Sequence, residues 1–476
     1  MRVALLNPPT YKDFDGGAGS RYQARREVTS FWYPTWLCYP AGLIPDSRVI
    51  DAPAERLDLE QTLPLLKGYD LVAMYTSTAS FPLDLKTAET IKATYRGVKV
   101  ALLGPHVSIL PDPALKAGGA IDFVCRREFD YTLKEYAEGR PLGEIDGVSY
   151  RNNGNIIHNK DRPFIEDLDA LPFVVDIYKR DLNYLNYTIP YLHDPYVSIY
   201  AGRGCPAQCI YCLWPQTFSG NVYRVRSPEN VVEEVKLAVK HFPRAKEIFF
   251  DDDTFTANKP RAREIAKLLK PLGIVWSCST RATLDYETMK LMKDSGLRLF
   301  LVGYESGNEE ILKTMKKGVT LEHGLEFAKN CKRLNIMTHG AFVMGLPGET
   351  PESVEDSIRF AREVDPDTIQ VSLASPYPGT EFYEICKEEG YLVMDNLVSD
   401  KGYQKCGVQY PGMSSEEIYD AVVKFYKKFY FRPSYIAKTV WRMLRDKEEA
   451  KRRLKEGYEF FRFTIRRKEG GKCKTC

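Results

Sequence analysis

The strongest constraint on the fold is a regular alternation of short apolar runs with segments of helical periodicity, present in two separate regions. Short apolar strands separated by helices are buried on both faces, which is typical of a parallel, doubly wound sheet. In the first region the apolar runs are Val3–Leu6, Leu71–Tyr75, Val98–Leu103 and Ile121–Cys125. We therefore predict a Rossmann-like, doubly wound α/β domain over residues 1–145.

The second alternation predicts a different architecture. Its apolar runs are Val197–Gly202, Glu247–Phe250, Val275–Ser279, Leu297–Gly303, Ile336–Met344 and Thr368–Leu373, with helical segments between them. Six such units fit a partial (β/α)6 barrel better than a full eight-unit barrel of about 250 residues. The predicted organisation is a linker at residues 146–195, the partial barrel at 196–380 and a mostly helical C-terminal region at 381–476.

The segment Tyr11–Pro40 interrupts the first alternation. It contains arginines, closely spaced glycines and an aromatic cluster, namely Gly16, Gly17, Gly19, Phe31, Trp32, Tyr33 and Trp36. We interpret this segment as an ordered insertion that covers a ligand face.

Three cysteines follow the first strand of the second region. Cys205, Cys209 and Cys212 have the spacing C-x3-C-x2-C, and three thiolates this close together suit a soft metal. A tetrahedral zinc site needs a fourth ligand, and no further Cys or His occurs before His241. Three cysteines alone suit a [4Fe–4S] cluster with one open iron. The alternative is three unrelated cysteines in a loop.

The triplet, with Tyr211 directly before its last cysteine, resembles the radical S-adenosylmethionine (SAM) superfamily. The resemblance implies that the open iron binds the amino and carboxylate groups of SAM. Reductive cleavage of SAM then releases a 5′-deoxyadenosyl radical that abstracts hydrogen from an unactivated carbon. The electron donor implied is a flavodoxin or a ferredoxin.

Other stretches match the superfamily in order, each at the carboxyl end of a predicted strand, where barrel active sites are built. The resemblance implies contacts to the SAM amino group after the second strand, to its carboxylate after the third, to its ribose after the fourth and to its adenine after the fifth. The residues in these positions are Asp252, Asp253, Ser279, Arg281, Glu305, Met344, Gly345 and Leu346. Taken one at a time, an acidic run also suits a solvated loop, and a methionine also suits a core.

A doubly wound domain before such a barrel resembles the cobalamin-binding subclass of this superfamily. Thr76, Ser77, Gly104 and His106 occupy positions that face the cofactor in that subclass. The D-x-H-x-x-G signature of histidine ligation to cobalt is absent, and His106 also suits a structural role. Cobalamin is therefore an expected third cofactor, beside the cluster and SAM.

Several longer stretches are similar to the hopanoid-biosynthesis radical SAM family associated with the cyclitol ether of bacteriohopanetetrol. They are Phe14–Glu27, Phe31–Trp36, Cys212–Thr217, Phe249–Thr256, Leu301–Asn308 and Val371–Thr380. This similarity implies contraction of a lipid-linked hexose or hexosamine head group to a cyclopentane, as in the related archaeal calditol synthesis. The alternatives are a cobalamin-dependent methylase of another lipid or small molecule, and a non-catalytic iron–sulfur scaffold.

A ring contraction ends with a product radical that must be reduced. Cys278 lies on the third predicted barrel strand, beside Ser279, and a thiol can donate a hydrogen atom to a carbon radical. Strand alternation allows only one of these two residues to point into the barrel. We name Cys278 as the candidate catalytic donor, and a buried core cysteine is the alternative.

The C-terminal segment 421–476 carries 18 Lys and Arg against 6 Asp and Glu, a net charge of +12 over a stretch with eleven aromatic residues. This pattern predicts docking on an anionic membrane surface. The alternative is a helix that packs on the barrel through Phe425–Phe431. Nucleic-acid binding is not predicted, because the charge is local and no recognition motif accompanies it.

The chain has no apolar stretch of about 18–20 residues and no secretory signal, so we expect a cytoplasmic protein, peripheral on the inner membrane surface. Cys473 and Cys476 form a terminal C-x-x-C pair that suits a redox dithiol, a second cluster or a frayed tail.

Overall fold

The computed structural model describes residues 1–15, 18, 24–393, 396–445 and 447–470, except for the side chains of residues 447–449 and 463–470. Gly16, Gly17, Gly19, Cys473 and Cys476 lie outside the described residues, so the predictions made for them stay predictions.

Strands and helices are numbered along the chain. The strands are β1 Val3–Asn7, β2 Phe14–Asp15, β3 Ala24–Arg25, β4 Ser47–Asp51, β5 Leu71–Tyr75, β6 Lys99–Leu103, β7 Phe123–Cys125, β8 Val148–Asn152, β9 Asn155–His158, β10 Tyr196–Ile199, β11 Gly202–Arg203, β12 Arg224–Val225, β13 Glu247–Phe250, β14 Trp276–Thr280, β15 Leu297–Glu305, β16 Met337–Met344 and β17 Thr368–Leu373. The helices are α1 Thr35–Leu43, α2 Ala52–Glu55, α3 Leu59–Thr62, α4 Phe81–Thr94, α5 Pro105–Ile109, α6 Pro111–Lys116, α7 Asp130–Ala137, α8 Val174–Asp181, α9 Pro228–His241, α10 Lys259–Leu269, α11 Tyr286–Asp294, α12 Glu309–Thr314, α13 Leu321–Leu334, α14 Pro351–Val364, α15 Glu381–Glu388, α16 Ser415–Tyr430, α17 Pro433–Arg445 and α18 Lys447–Gly470.

The N-terminal sheet has the strand order β4-β1-β5-β6-β7-β8-β9. Its first five strands are parallel, and their order is that of a doubly wound sheet with a switch point between β1 and β5. This part of the fold is as predicted. Ligands of such sheets bind outside the carboxyl ends of the strands at the switch point.

The same sheet extends past residue 145 into the segment predicted as a linker. β8 and β9 add to it as an antiparallel hairpin. Asn153 and Gly154 form the two-residue turn, both with positive φ, which is the residue pair that such hairpin turns prefer. The buried guanidinium of Arg126 holds the hairpin by donating to the Val148 carbonyl at 2.8 Å.

The second sheet has the order β10-β13-β14-β15-β16-β17, all parallel, and neighbouring strands are neighbours in the chain. Helices α9, α10, α11, α13 and α14 lie between its strands in sequence. This is the predicted partial (β/α)6 barrel.

The two faces of the barrel sheet have different neighbours. Phe249 faces inward, where its ring lies 6.1 Å from Trp32 and 6.5 Å from Tyr191. Ser279, Leu301, His339 and Thr368 are in register across four strands on this inward face. Phe300 faces outward, where it contacts Phe327 of α13 at 5.5 Å. The inward face therefore carries several polar side chains, and the outward face packs on helices.

The C-terminal region begins by covering the barrel. Helix α16 packs against α14 and β17, and Phe425 and Phe429 are fully buried there. The Val371 amide donates to the Tyr426 hydroxyl at 2.9 Å. The aromatic residues of α16 thus pack on the barrel, as the alternative interpretation predicted, whereas Phe431 is exposed. Within the described residues, no helix combines the length and the apolar character needed to cross a bilayer.

Candidate active site

The cysteine loop begins directly after β11, and its first residue, Gly204, lies very close to the backbone of Val222, where the chain returns. Gly204 has φ of +86°, and a Cβ there would lie 2.3 Å from the Val222 carbonyl oxygen. The Cys205 amide donates to the Gly220 carbonyl at 3.3 Å. Only glycine fits this position, so the residue before Cys205 sets the path of the loop.

Gln216 holds the remainder of the loop. Its side-chain amide nitrogen lies 3.1, 3.0 and 2.9 Å from the carbonyl oxygens of Cys209, Ile210 and Cys212. Its side-chain oxygen accepts from the Glu381 amide at 2.8 Å. One side chain therefore orders the backbone of two of the three cysteines and ties the loop to α15.

The three cysteines lie in a partly buried loop, with Cys209 buried and Cys205 and Cys212 half-buried. Burial is the largest cause that raises the pKa values of Cys205 and Cys212, and Cys209 raises both further. Among the residues the structure describes, no three His, Cys, Asp or Glu side chains converge as around a single metal ion. A polynuclear iron–sulfur cluster binds one thiolate per iron and does not require such convergence. The donor set fits a cationic cluster that neutralises several thiolates.

A buried polar network lies beside the loop. Glu305 ends β15 with φ of +64°, a strained value for this residue type. Its carboxylate accepts from the Lys317 ammonium at 2.7 Å and from the Tyr211 hydroxyl. Arg281 donates to the carbonyls of Lys317 and Gly318, and its buried Nε has no partner among the described groups. The structure thus brings Tyr211, Glu305 and Arg281 together, and their predicted contacts to SAM stay predictions.

The two predicted aspartates have different surroundings. Asp252 is fully buried, and both of its oxygens are occupied, by the Ala201 amide at 3.0 Å and the Tyr223 hydroxyl at 2.8 Å. Asp253 is half-buried, accepts from Ser219 at 3.3 Å and contributes to the raised pKa values of Cys205 and Cys212. Asp252 therefore ties β13 to β10, while Asp253 lies at the cysteine loop.

The turn after β16 is held from its sides. Gly345 donates its amide to Glu349, and the Tyr410 hydroxyl donates to the Gly345 carbonyl at 2.8 Å. Burial raises the pKa of Glu349 to about 7. Met344 and Leu346 are fully buried. Two hydrogen bonds therefore fix the Gly345 backbone, and Met344 has the burial of a core residue.

Ser279 and Cys278 lie on opposite faces of β14. Ser279 is on the inward face, and its buried Oγ has no partner among the described groups. Cys278 is in register with Phe250 and Phe300 on the outward, helix-covered face, and burial raises its pKa well above the ordinary value. The structure does not bring Cys278 to the barrel interior, so its position does not support the role of hydrogen donor.

The predicted residues of the N-terminal domain meet at the carboxyl ends of β5 and β6. Thr76 donates to Asp84 at 2.8 Å, and Ser80 donates to the same carboxylate oxygen at 2.7 Å. Ser77 pairs with the Ser80 hydroxyl at 2.9 Å. Burial raises the pKa of Asp84 to about 7. These residues form a compact polar edge after β5, beside the switch point of the sheet.

Gly104 and His106 border this edge. Gly104 has φ of +110°, and a Cβ there would lie 2.5 Å from the Thr76 carbonyl oxygen. His106 contacts Thr78 at 3.3 Å, and burial lowers its pKa to about 4. The other His106 nitrogen and the Tyr75 hydroxyl are buried without a partner among the described groups. Buried polar atoms that lack partners fit a site for a polar ligand, such as a corrin with amide substituents.

The two sites are neighbours. Helix α5, which carries His106, packs against the π-helical turn Pro215–Ser219 that follows the cysteine loop. Arg203, two residues before Cys205, forms a bidentate ion pair with Asp130 at 3.0 Å, and both side chains are buried. Arg224 forms a second bidentate pair with Glu128, at 2.7 and 2.9 Å.

The described part of the predicted insertion reaches the barrel interior. Trp32 contacts Phe249 of β13, and Arg26 lies over the Trp32 ring at 5.4 Å. Burial lowers the pKa of His339 on β16 to about 3, and the charge of Arg26 lowers it further. The insertion therefore lies against the face where a barrel ligand is expected.

Sequence reasoning missed four residues of these sites, which are Asp84, Gln216, Lys317 and Glu349. In the sequence, Asp84 has the pattern of an ordinary polar residue near the start of a helix, and Glu349 that of a polar residue in a turn. Gln216 lies inside a stretch used for the family resemblance, but its spacing from the cysteines has no local signature. Lys317 follows Lys316 in a segment that resembles a solvated turn. No local signal separates the buried lysine from the exposed one.

The model of the radical SAM superfamily matches residues 199–361. A protein of Pyrococcus horikoshii described as an uncharacterized methyltransferase is 32% identical over 465 residues, covering 93% of this chain and 95% of that protein. The anaerobic magnesium-protoporphyrin IX monomethyl ester cyclase of Rubrivivax gelatinosus is 25% identical and covers 95% of this chain and 80% of that protein.

Two solved structures share the fold. TsrM from Kitasatospora setae, a radical S-adenosylmethionine methyltransferase with cobalamin and a [4Fe-4S] cluster bound, has a TM-score of 0.67 and 17% identity over 91% of this chain and 89% of that chain. OxsB, a cobalamin-dependent S-adenosylmethionine radical enzyme with aqua-cobalamin and S-adenosylmethionine bound, has a TM-score of 0.69 and 14% identity over 96% of this chain and 71% of that chain.

Proposed function

This chain belongs to the radical SAM superfamily, and we propose that it is a cobalamin-dependent methyltransferase of that superfamily. One observation carries the proposal. The cysteine loop of the barrel and the polar edge of the doubly wound domain are neighbours, joined by the packing of α5 on Pro215–Ser219. Two cofactors bound at these two sites would face each other across one junction.

The similar proteins support methylation more than head-group contraction. The Pyrococcus horikoshii protein and TsrM are both described as methyltransferases. None of the four proteins named above is described as acting on a hopanoid or as making a cyclitol. Methyl transfer, the alternative in the sequence analysis, therefore replaces ring contraction as our leading proposal.

Cys205, Cys209 and Cys212 would hold a [4Fe–4S] cluster, and the edge of Thr76, Ser77, Gly104 and His106 would hold cobalamin. When bound, these groups supply an electron for SAM cleavage and a metal centre that carries a methyl group. Gln216 orders the cysteine backbone, and Gly204 sets its path. The partnerless His106 nitrogen and Tyr75 hydroxyl can bind amide groups at the edge.

Three charged side chains at the carboxyl ends of the barrel strands can bind the polar groups of SAM. Arg281 can pair with a carboxylate through its buried Nε. Glu305 can accept from ribose hydroxyls, since its carboxylate is a hydrogen-bond acceptor that Lys317 already holds in place at 2.7 Å. Asp253 is the aspartate placed to accept from an ammonium, since both oxygens of Asp252 are occupied.

The inward polar atoms of the barrel suit a substrate with polar groups. The Ser279 hydroxyl, the second His339 nitrogen and the Trp32 indole nitrogen are buried and lack a partner among the described groups. His339 stays neutral at physiological pH because burial lowers its pKa to about 3, so it recognises an uncharged donor or acceptor.

The test is anaerobic reconstitution with iron, sulfide and a corrinoid, followed by incubation with SAM, a reductant and an extract of small molecules and lipids. We expect about one corrinoid per chain, with S-adenosylhomocysteine and a product heavier by one CH2 unit. A chain that turns over fully without detectable corrinoid, or a product of unchanged mass, contradicts the proposal.

A second candidate is the contraction of a lipid-linked hexose or hexosamine to a cyclitol. The observation in its favour is an exposed apolar helix face in the C-terminal region, described below, which suits an enzyme that works at a lipid surface. The same incubation with a glycosylated lipid separates the two candidates. Contraction yields 5′-deoxyadenosine and a cyclopentane product without S-adenosylhomocysteine.

A further inference from the structure

Helix α17 exposes apolar side chains along one face. Ile436, Val440 and Leu444 repeat every four residues, and Trp441 lies beside them. Leu444 is 82% exposed, Trp441 54%, Val440 48% and Ile436 46%. Together they form a continuous apolar surface with Pro433 and Ala437, which we call the α17 face.

The opposite side of α17 is fixed to the barrel by polar contacts. The Tyr435 hydroxyl donates to the Asp367 carbonyl at 2.9 Å, and Arg442 pairs with the Asp367 carboxylate at 2.6 Å. Lys438 lies 3.5 Å from Asp365 and 3.4 Å from Asp367. The orientation of the helix is therefore set, and the α17 face points away from the protein.

Helix α18 has the same arrangement. Leu454, Tyr458 and Phe461 recur at helical spacing and are exposed. On its other side, Glu459 accepts from the Thr29 amide at 3.0 Å, and Arg452 donates to the Leu192 carbonyl at 3.4 Å. Two successive helices thus bind the protein through polar contacts and through the aromatic rings of Tyr435 and Phe460, and they present further apolar groups to the outside.

Among the described side chains, the exposed charges beside these faces are positive. Arg445, Lys451, Lys455 and Arg462 are exposed, and the Arg445 guanidinium lies 3.8 Å from the centre of the Trp441 ring. Among residues 431–462 with described side chains, the acidic residues are Glu456 and Glu459. Both are half-buried. Glu456 forms ion pairs with Arg452 and Arg453, and Glu459 accepts from the Thr29 amide.

We propose that α17 and α18 dock this protein on the surface of an anionic lipid bilayer, with the helix axes in the plane of the interface. Amphipathic helices that combine Trp and Leu with exposed Lys and Arg bind at the boundary of head groups and acyl chains. The cations complement the negative charge of the leaflet. This proposal does not depend on the reaction that the enzyme catalyses.

The experiment is flotation of the full-length, reconstituted protein with vesicles of phosphatidylcholine alone or of phosphatidylcholine with phosphatidylglycerol. We expect binding to the anionic vesicles that weakens as salt is raised, and little binding to phosphatidylcholine. Leu444→Glu should weaken binding at least about tenfold, because it removes a large apolar group and adds a repelled charge. Leu65→Glu is the matched control, since Leu65 is an exposed leucine of the N-terminal domain, and should bind as the wild type does.

The charge contribution is tested separately. Arg445→Gln and Arg462→Gln should each weaken binding to anionic vesicles about fivefold, since both guanidinium groups lie over exposed aromatic rings of these helices. Lys134→Gln, a substitution on the distant helix α7, should have no effect. Thermal midpoints of all variants should match the wild type, because the substituted side chains are exposed.

Two results would overturn the proposal. The first is equal flotation with neutral and anionic vesicles, or none with either. The second is a concentration-dependent dimer in sedimentation that Leu444→Glu abolishes while vesicle binding is absent. In that case the α17 face is an interface between two copies of this chain.

Discussion

The molecule has two candidate sites at the carboxyl ends of parallel strands, one in the barrel sheet (the barrel edge) and one in the N-terminal sheet (the N-terminal edge). The two sites differ in how their polar groups are paired. At the barrel edge, charged groups are paired before any ligand arrives, as in the buried contact of Glu305 with Lys317. At the N-terminal edge burial lowers the pKa of His106 and raises that of Asp84, so both charged forms are disfavoured, and several atoms lack partners among the described groups, among them the Tyr75 hydroxyl and a His106 nitrogen.

This difference indicates two kinds of ligand. Paired charges in an enclosed site cost little reorganisation when a zwitterion binds, so the barrel edge suits SAM. Neutral donors and acceptors suit a large ligand held by many amide hydrogen bonds, so the N-terminal edge suits a corrinoid. The energetic consequence is that substitutions at the barrel edge should affect charge and chemistry, while those at the N-terminal edge should affect stability and retention of the ligand.

The largest expected effect is loss of a cluster ligand. Cys209→Ala should reduce bound iron and SAM cleavage to background, because one of the three thiolate ligands is removed, while bound corrinoid stays close to the wild-type amount. Iron content, 5′-deoxyadenosine formation and corrinoid extraction measure the three quantities. Cys331→Ala, a buried cysteine of helix α13, is the control and should retain iron. If SAM cleavage persists in Cys209→Ala, Cys209 is not a cluster ligand, and the assignment of the cluster to the barrel edge is wrong.

The next effect tests the bond that joins the two edges. Arg203→Gln leaves Asp130 as an uncompensated buried carboxylate, while Glu128 keeps its pair with Arg224, so we expect a loss of about 3–5 kcal/mol of stability. Iron and corrinoid should decline together, since this pair joins the strand before the cysteine loop to helix α7 of the N-terminal domain. Lys290→Gln breaks an exposed pair with Asp294 and should cost less than about 1 kcal/mol. Loss of one cofactor alone would show that the edges are independent.

A smaller effect concerns the N-terminal edge and depends on pH. Asp84 has a pKa of about 7 in the folded protein against an ordinary 3.8, because burial disfavours the carboxylate. The folded state therefore holds its proton more tightly than the unfolded state, and this stabilisation is present at low pH and lost as pH rises from about 4 through 7. Asp84→Asn stays neutral and can still accept from Thr76 and Ser80.

The free energy of unfolding of Asp84→Asn, taken relative to that of the wild type, should therefore rise by about 2–4 kcal/mol between pH 5 and pH 8. Thermal midpoints of both proteins at the two pH values measure this gain. The exposed Asp46→Asn serves as the control and should show the same difference from the wild type at both pH values. A gain at pH 5 that disappears at pH 8 has the opposite sign and would refute the buried, protonated Asp84.

The smallest effect sharpens the assignment of the barrel edge. Glu305→Gln removes the charge that pairs with Lys317 and accepts from Tyr211, so SAM affinity should fall by about 1–3 kcal/mol while iron content is unchanged. Equilibrium binding of SAM to the reconstituted protein measures this change. Glu326→Gln, an exposed glutamate of α13, should bind SAM normally. Unchanged affinity in Glu305→Gln would assign Glu305 to the structure of the strand end.

Much of the architecture follows from local patterns. Apolar runs and helical periodicity predicted both sheets, because a strand buried on both faces needs a continuous apolar run whatever its neighbours are. The β8–β9 hairpin was placed in a linker, although Asn153-Gly154 is a local turn signal. That error came from reading a polar, irregular segment by its composition.

The site residues were predictable to different degrees. The spacing of Cys205, Cys209 and Cys212 is a local feature, and a family resemblance added Glu305 and Arg281. Neither source could distinguish Asp252 from Asp253, because the two differ only in which neighbours reach them across the sheet. Lys317 and Gln216 were missed for the same reason, since their partners lie on other elements of the fold.

The sequence by itself determined the order of the elements, the cysteine loop and the excess of positive charge near the C-terminus. Tertiary structure decided that Ser279 rather than Cys278 faces the barrel interior, and that α16 is core while α17 presents an apolar surface. The physical reason is the range of the interactions. Periodicity and turn chemistry act within a few residues, whereas burial and pairing depend on which distant segments pack against each side chain.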